Sequence, residues 1–535
     1  MGEDERSKLP GSIRSQPLNA SCLHWLIRTV SAFVEFHHSP SRIFATRLNR
    51  DTRIGGRRHD CVPVCEPHPD SFMSKNLVAL FLILAAFHSS QAAQTDDSVP
   101  ILVGAAKVDI TPDFPIRLTG YESRKDEATR AETRLFARAL AIGSDEQKPA
   151  VLITLELIGV GAETSTFVAD ALNAKHGIDR ERLAISAIHT HTGPALSDVL
   201  PFMFSADLPV EQMERIQRYT TDLRAKLVQL AGDALADRRP AFLAWAQGNA
   251  VFAAQRRVIV DGQWKTFGVT LDGPVDHALP VLRVTGDDGQ LRALYLSYAC
   301  HCTTLSGPDN FVHHEWAGDA AQRLESAHAG AITLVGIGCG ADANPNPRGV
   351  SAVSAHGESI AREVERVLSG PLQSIGPLTA AKYREIPLAF DRPIHRSELQ
   401  QRKQSNQLRA AYAASKFLQQ MDAGKPLPTS IPLPVQTWSF GDDLTMVFLG
   451  GEVVAEYGLR LRRELDASRF WVNAYTNSVP CYVPSKAMYA EGGYEVDGSM
   501  DYYGWPTRLA LGTEDQVITA VRDLVPPTFH MQKSP

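Results

Sequence analysis

Cysteine is scarce, at 7 in 535 residues. Cys22, Cys61 and Cys65 fall before residue 94, leaving Cys300, Cys302, Cys339 and Cys481 for the remainder. Four cysteines in so long a stretch exclude a disulfide-built scaffold, although an exported chain has room for one or two bridges. An excess of charge of one sign is also missing: 54 Lys+Arg oppose 60 Asp+Glu, giving a net charge of -6 with no long basic run. That balance points away from nucleic acid and toward a small molecule as partner. Long hydrophobic runs are lacking too. The apolar run at residues 77–87 is too short for an ordinary membrane span, and none follows residue 94. No internal repeat and no clear linker interrupt residues 101–525. No protein partner is indicated.

What is there begins with a change of character along the chain. Residues 1–72 scatter Arg, His, Ser and Pro without a period and read as a spurious or disordered extension. Met73-Ser-Lys-Asn, the apolar run and the small-residue end Ser-Ser-Gln-Ala-Ala then make a signal peptide over residues 73–93. The expectation is an exported protein, periplasmic or extracellular, with residues 94–535 as one domain. A disordered tail before a signal anchor is the rival reading.

Apolar strand patterns alternate with helical ones, which is the signature of an α/β fold with mixed β-sheets flanked by helices. Strands are expected at residues 101–111, 134–142, 150–156, 183–188, 240–248, 279–285, 291–299, 331–337, 378–390 and 470–475. A hairpin turns at Asp261-Gly262, and two short strands over 436–449 turn at Gly441. Helices are expected at 161–176, 210–237, 316–328, 354–368, 454–467 and 514–524. A charged helix over 397–423 reads as a solvated outer element, and 426–434 as a Pro-rich connector.

Four apolar strands each run into polar residues suited to metal or acid-base work: His189 and His191, His301, Asp342, and Glu452. Ligands of open α/β sheets sit at such carboxyl ends, so the active site is expected there. If strand geometry persists through Ile188-His-Thr-His, its two-residue period puts both imidazoles on one face. Two His and a Glu with an open position form a catalytic zinc set. Each residue also has a plainer reading: surface histidines at strand ends, and Glu452 as a cap of the following helix. His313-His314-Glu315 is a rival cluster, read instead as a helix start with its acid near the positive end of the dipole.

The ordered set Val108-Asp-Ile-Thr-Pro, Gly120-Tyr121, Thr133-Arg-Leu, Ile188-His-Thr-His-Thr-Gly-Pro, Gln255-Arg256, Ala299-Cys-His301, Ala341-Asp-Ala-Asn-Pro-Asn, Gly451-Glu452 and Cys481-Tyr482 resembles the catalytic domain of the neutral/alkaline non-lysosomal ceramidases. The resemblance implies Zn2+ held by His189, His301, Glu452 and Tyr482. It also implies His191, Arg256 and Tyr494 at the scissile group, as proton carrier or as donors to an oxyanion. Arg256 as partner of a surface acid and Tyr494 as a core tyrosine remain alternatives. Where the family has Asp-x-Ser-Pro, this sequence has Asp342-Ala-Asn344-Pro, and an amide cannot form an acyl-enzyme.

The expected activity is thus zinc-dependent hydrolysis of an amide in an N-acyl lipid such as ceramide, with water activated by the metal and Asn344 at most orienting water or substrate. Peripheral membrane contact is compatible with such a substrate. The alternatives are a zinc hydrolase or esterase for a polar or sugar-linked substrate, and a binding protein that keeps the zinc pocket without turnover.

Overall fold

The computed structural model describes residues 99–531, and the readings of residues 1–72 and 73–93 lie outside them. Strands β1 (Ile101–Asp109), β2 (Phe136–Ile142) and β3 (Ala150–Leu155) form an antiparallel meander. Helix α1 (Ala162–His176) then crosses to β4 (Leu183–Ala187), which lies parallel to β3. Gly177 ends α1 at φ 66°, its N–H returning to the carbonyls of Asn173 and Leu172. Helix α2 (Val210–Ala236) buries Ile216, Tyr219, Leu223, Leu227, Leu230 and Ala234 at helical spacing. Strand β5 (Arg239–Asn249) follows, then the hairpin β6 (Ala253–Val260) and β7 (Gln263–Thr270), which turns at Asp261-Gly262 with φ 53° and 72°. The middle of the chain supplies β8 (Ala278–Gly286), β9 (Leu291–Tyr298), α3 (Glu315–Ala327), β10 (Ile332–Ile337), β11 (Ala343–Pro345), α4 (Val350–Leu368) and β12 (Gln373–Ile375).

The last third gives β13 (Ala380–Ala389), α5 (Arg396–Arg402), α6 (Leu408–Asp422), β14 (Ser430–Phe440), β15 (Leu444–Leu449), β16 (Glu452–Val453), α7 (Ala455–Glu464), β17 (Phe470–Asn473), β18 (Tyr482–Val483), α8 (Met488–Glu491), α9 (Met500–Tyr503) and α10 (Thr513–Leu524). The expected single helix over 397–423 is therefore two helices. Residues 403–407 break it, and the second piece buries Ala413, Ala414, Phe417 and Leu418 over Leu399, so this is an amphipathic layer rather than a solvated one. The Pro-rich 426–434 stretch is likewise half strand. Its Pro432 and Pro434 sit in β14, opposite Pro387 and Glu385.

The main sheet runs β10-β9-β8-β5-β1-β2-β3-β4, with β12 added on β5. Its two faces alternate as pleating demands. Ala137, Ala139, Val151, Ile153 and Val281 face the helix layer, while Leu140, Leu152, Leu282 and Tyr295 face the second sheet, β13-β14-β15-β17. Between the sheets Tyr295 stacks on Trp471 at 4.6 Å. Helix α10 packs on β13 and β14.

The sheet does not stay open. Six strand spacings separate β9 from β4 in the sheet order, about 29 Å if flat, yet the rings of His189 and His301, just beyond those two strands, are 4.7 Å apart. The segment after β17 joins the edges: Ala474 N–H donates to Ile337 O of β10 at 2.8 Å, while Asn477 N–H donates to Ile185 O of β4 at 2.7 Å. Past the strand ends, Thr190 and Cys302 form a parallel bridge. Rolling thus brings the carboxyl ends of β4, β9 and β10 to one place.

Candidate functional site

Strand geometry does not carry through the His-Thr-His run. Strand β4 stops at Ala187, and His189 adopts φ 60°, the left-handed region that a non-glycine residue occupies at a cost. The two imidazoles still meet, with Nε2 atoms 3.1 Å apart, but through this backbone turn rather than the strand period.

Each of the three central histidines spends Nδ1 on a backbone carbonyl. His189 donates to Ile158 O at 2.6 Å, His191 to Gly120 O at 3.1 Å and His301 to Gly340 O at 2.9 Å. The Nε2 atoms are then left as acceptors in the neutral rings, the orientation seen in metal-bound histidine. Burial, reinforced by the Arg256 guanidinium, takes His301 down to about 4, and burial with His189 and His301 nearby holds His191 well below its ordinary value. Both rings are neutral near pH 7.

Glu452 sits among them. After β15, Gly451 at φ 79° turns the chain so that Glu452 begins β16. Its Oε2 is 3.0 Å from His189 Nε2 and 3.2 Å from His301 Nε2. Burial pushes its carboxyl up, but the closeness of His189 and His301 outweighs it and holds the group well below the carboxylate range. Across the β16–β18 ladder Glu452 is paired directly with Tyr482, whose hydroxyl lies 3.3 Å from His301 Nε2. Burial pushes the Tyr482 phenol up despite the pull of Arg256.

A metal fits this donor set. For ligands ~2.0–2.1 Å from zinc, the edge of a tetrahedron is about 3.3–3.4 Å, and the contacts among His189, His301, Glu452 and Tyr482 are 3.0, 3.2 and 3.3 Å. Acceptor facing acceptor at such distances requires shared positive charge between them. His189, His191 and His301 also form a group whose ligand nitrogens lie within 4.8 Å of one another. Of these, His191 has the weaker claim as a ligand, because it reaches His189 while His301 and Glu452 touch each other directly.

Arg256 lies on β6 between Gln255 and Arg257, where the β6–β7 register shifts because β7 carries one extra residue, Gly268-Val269 opposing Arg256. Its Nη1 donates toward His301 Nε2 and its Nη2 to the Tyr482 hydroxyl, each at 3.2 Å. Tyr494 packs its ring 5.4 Å from Tyr482 and 5.1 Å from Phe267. Asn344, on β11, accepts from Thr303 Oγ1 at 3.2 Å. All three line a cavity of about 560 Å3 together with His191, Tyr482, Tyr121 and Trp264. The structure thus brings together all eight candidate residues. Asp342 turns away: its carboxylate accepts from Gln255 Nε2 at 2.7 Å and from Ala455 N–H at 2.8 Å, capping α7. His313-His314-Glu315 is a helix start, as expected, with Glu315 accepting from the N–H groups of Leu305 and Trp316. Cys300, Cys302, Cys339 and Cys481 are buried free thiols.

Several partners were not foreseen. Tyr503 donates to Glu452 Oε1 at 2.5 Å and Tyr475 approaches Oε2 at 3.5 Å. Glu495, wholly buried, receives Arg256 Nε at 2.9 Å and also Arg257. Tyr503 and Glu495 fall in a stretch over 486–508 rich in Tyr, Gly and Asp, which was the one signal for them, and Tyr475 lies before it.

The sequence profile of the neutral/alkaline non-lysosomal ceramidase N-terminal family matches residues 101–213. A neutral ceramidase of Oryza sativa subsp. japonica is 31% identical over 98 residues, 18% of this chain and 12% of that protein. Neutral ceramidase 2 of Arabidopsis thaliana is 30% identical over 96 residues, 17% of this chain and 13% of its own length. The matched stretch thus spans about an eighth of these curated relatives. Among solved structures, neutral ceramidase from Pseudomonas aeruginosa superimposes with a TM-score of 0.60 at 17% identity, covering 80% of this chain and 74% of its own. A ceramidase complexed with C2 does so equally, over 75% of its own chain. In sequence over residues 101–213 and in fold over most of its length, the chain resembles the neutral/alkaline non-lysosomal ceramidases.

Proposed function

We propose that the protein is a zinc-dependent amidohydrolase that cleaves an N-acyl lipid of the ceramide type into a fatty acid and a sphingoid base. The observation that carries this reading is the convergence of His189, His301, Glu452 and Tyr482 beside Arg256 and His191 at the wall of a cavity. A zinc ion held by His189, His301, Glu452 and Tyr482 supplies Lewis acidity toward the amide carbonyl and activation of a water molecule.

The chain's own groups do the rest. His191, neutral and fixed by its bond to Gly120 O, takes a proton at Nε2 from the attacking water and delivers it to the leaving nitrogen. Arg256 offers Nη donors where negative charge develops on the carbonyl oxygen, and Tyr494 closes the same side against solvent. Asn344 carries no nucleophile, so the reaction has no acyl-enzyme, and its amide, held by Thr303, orients substrate or water.

A lipid is favoured by the apolar face that leaves the cavity along β7. Phe267 lines the cavity and is 44% exposed, with Val269 at 54% further along the strand and Leu271 at 80% just past its end. Such a face suits an acyl chain or contact with a lipid surface. A polar or sugar-linked substrate is the second reading, favoured by Arg348, Arg409, Glu122 and Asp497 at the same mouth. Fatty acid release from a fluorescent N-acylsphingosine, against release from a water-soluble N-acyl amino sugar, tests the two: faster cleavage of the sugar amide overturns the lipid reading. Export through residues 73–93 belongs to the same proposal, and Gln94 as the first residue of secreted protein tests it.

A further inference from the structure

Arg256 poses an electrostatic problem. Its guanidinium lies against His301 Nε2 and the Tyr482 hydroxyl at 3.2 Å each, beside the atoms that the proposed zinc would share. An uncompensated cation there opposes binding of a second one. Glu495 answers it from behind: its Oε1 receives Arg256 Nε at 2.9 Å, and the carboxylate is wholly buried. Arg256 and Arg257 are neighbours on β6 and in a regular strand would point to opposite faces, yet both reach Glu495, at the place where β7 carries one residue more than β6. Arg257 has its own second acid, Glu491 at 2.9 Å, and Gly492 O at 2.8 Å. Glu495 therefore remains the carboxylate that Arg256 depends on.

The local backbone ties this pair to the cavity. Gly493, at φ 103°, lies where a Cβ would come within 2.4 Å of the Trp264 ring, so the chain presses directly on the β6–β7 hairpin. It then enters the single π-helical turn Tyr494–Gly498, whose first residue faces the cavity and whose second faces the arginines.

We infer that Glu495 is a positioning residue: it neutralises Arg256 and fixes its guanidinium so that Nη1 and Nη2 face the metal-ligand cluster without repelling the cation. The inference rests on the zinc reading above. It predicts a specific charge relationship. Removing the negative charge of Glu495 weakens metal binding because Arg256 is left uncompensated, and removing the charge of Arg256 as well restores it.

The test is Zn2+ affinity of the full chain, measured by competition with a chromophoric chelator, for wild type, Glu495→Gln, Arg256→Met and the double variant. Glu495→Gln is expected to bind Zn2+ at least ~10-fold more weakly, and the double variant to match Arg256→Met within ~3-fold. Glu495→Asp retains the charge but is one methylene short of spanning both arginines. It is expected to keep wild-type Zn2+ affinity and to lose kcat with KM unchanged, and it serves if Glu495→Gln does not fold. Wild-type affinity in Glu495→Gln, a double variant as weak as Glu495→Gln, or weakened Zn2+ binding in Glu495→Asp overturns the inference alone. A wild type that binds no Zn2+ overturns the metal reading and this inference with it.

Discussion

Gly120→Ala separates the role of His191 from that of the metal ligands. Gly120 has φ 94°, and a Cβ there would lie 2.6 Å from both Cγ and Nδ1 of the His191 ring. Alanine adds about 1–2 kcal/mol of backbone strain, and the overlap costs about 1–3 kcal/mol more unless the ring moves. The ring is the softer partner, so it is expected to shift and to lose its 3.1 Å bond to Gly120 O. Gly177→Ala is the control: it has φ 66° with nothing within 4 Å of the added carbon, so it carries strain without contact. Amide hydrolysis and zinc content are measured on both. Gly120→Ala should lose ~100-fold or more in kcat, the scale of a displaced proton carrier, with zinc retained, while Gly177→Ala keeps both. Activity in Gly120→Ala within about threefold of wild type refutes the role of His191, and loss of zinc makes His191 a ligand.

Tyr503→Phe removes the donor 2.5 Å from Glu452 Oε1, and Zn2+ affinity measured by chelator competition is expected to fall ~10-fold or more. Asn344→Ala should leave most of kcat, since no covalent step needs that side chain; loss as complete as in His189→Ala, measured by the same release assay, would show that Asn344 is underrated. Burial takes His313 to about 4 and His314 to about 3, below the ~6.5 of an unfolded chain. Both are neutral in the fold, so their contribution is full above about pH 6.5, is lost progressively as pH falls below that, and is gone once pH is below 4 and then 3. The urea midpoint should drop between pH 7 and pH 4.5, and a His313→Gln/His314→Gln variant should drop less; equal slopes would contradict the assignment.

Much of the site was legible because chemistry-bearing residues follow apolar strands. Leu183–Ala187, Leu291–Tyr298 and Leu444–Leu449 are buried strands, and His189, His301 and Glu452 do follow them. The route by which they meet was not legible. The residues 474–477 join two sheet edges far apart in strand order, and nothing local in Ala474-Tyr-Thr-Asn announces that partnership. The same holds for His189, whose left-handed turn is imposed by its surroundings against the preference of its own residue type. Tyr503 and Glu495 act on Glu452 and Arg256 across 51 and 239 positions of sequence, so no spacing rule reaches them. The 397–423 stretch was misread because its Gln, Lys and Arg hide a narrow apolar stripe through Ala413, Phe417 and Leu418.

Zinc content and fatty acid release, measured on one preparation beginning at Gln94, test the central claim most directly. The expected result is about one zinc per chain, release from N-acylsphingosine that stops with a chelator and returns with zinc, and loss of both metal and release in His189→Ala. Release that persists in metal-free protein, or His189→Ala with its full complement of zinc, would contradict it.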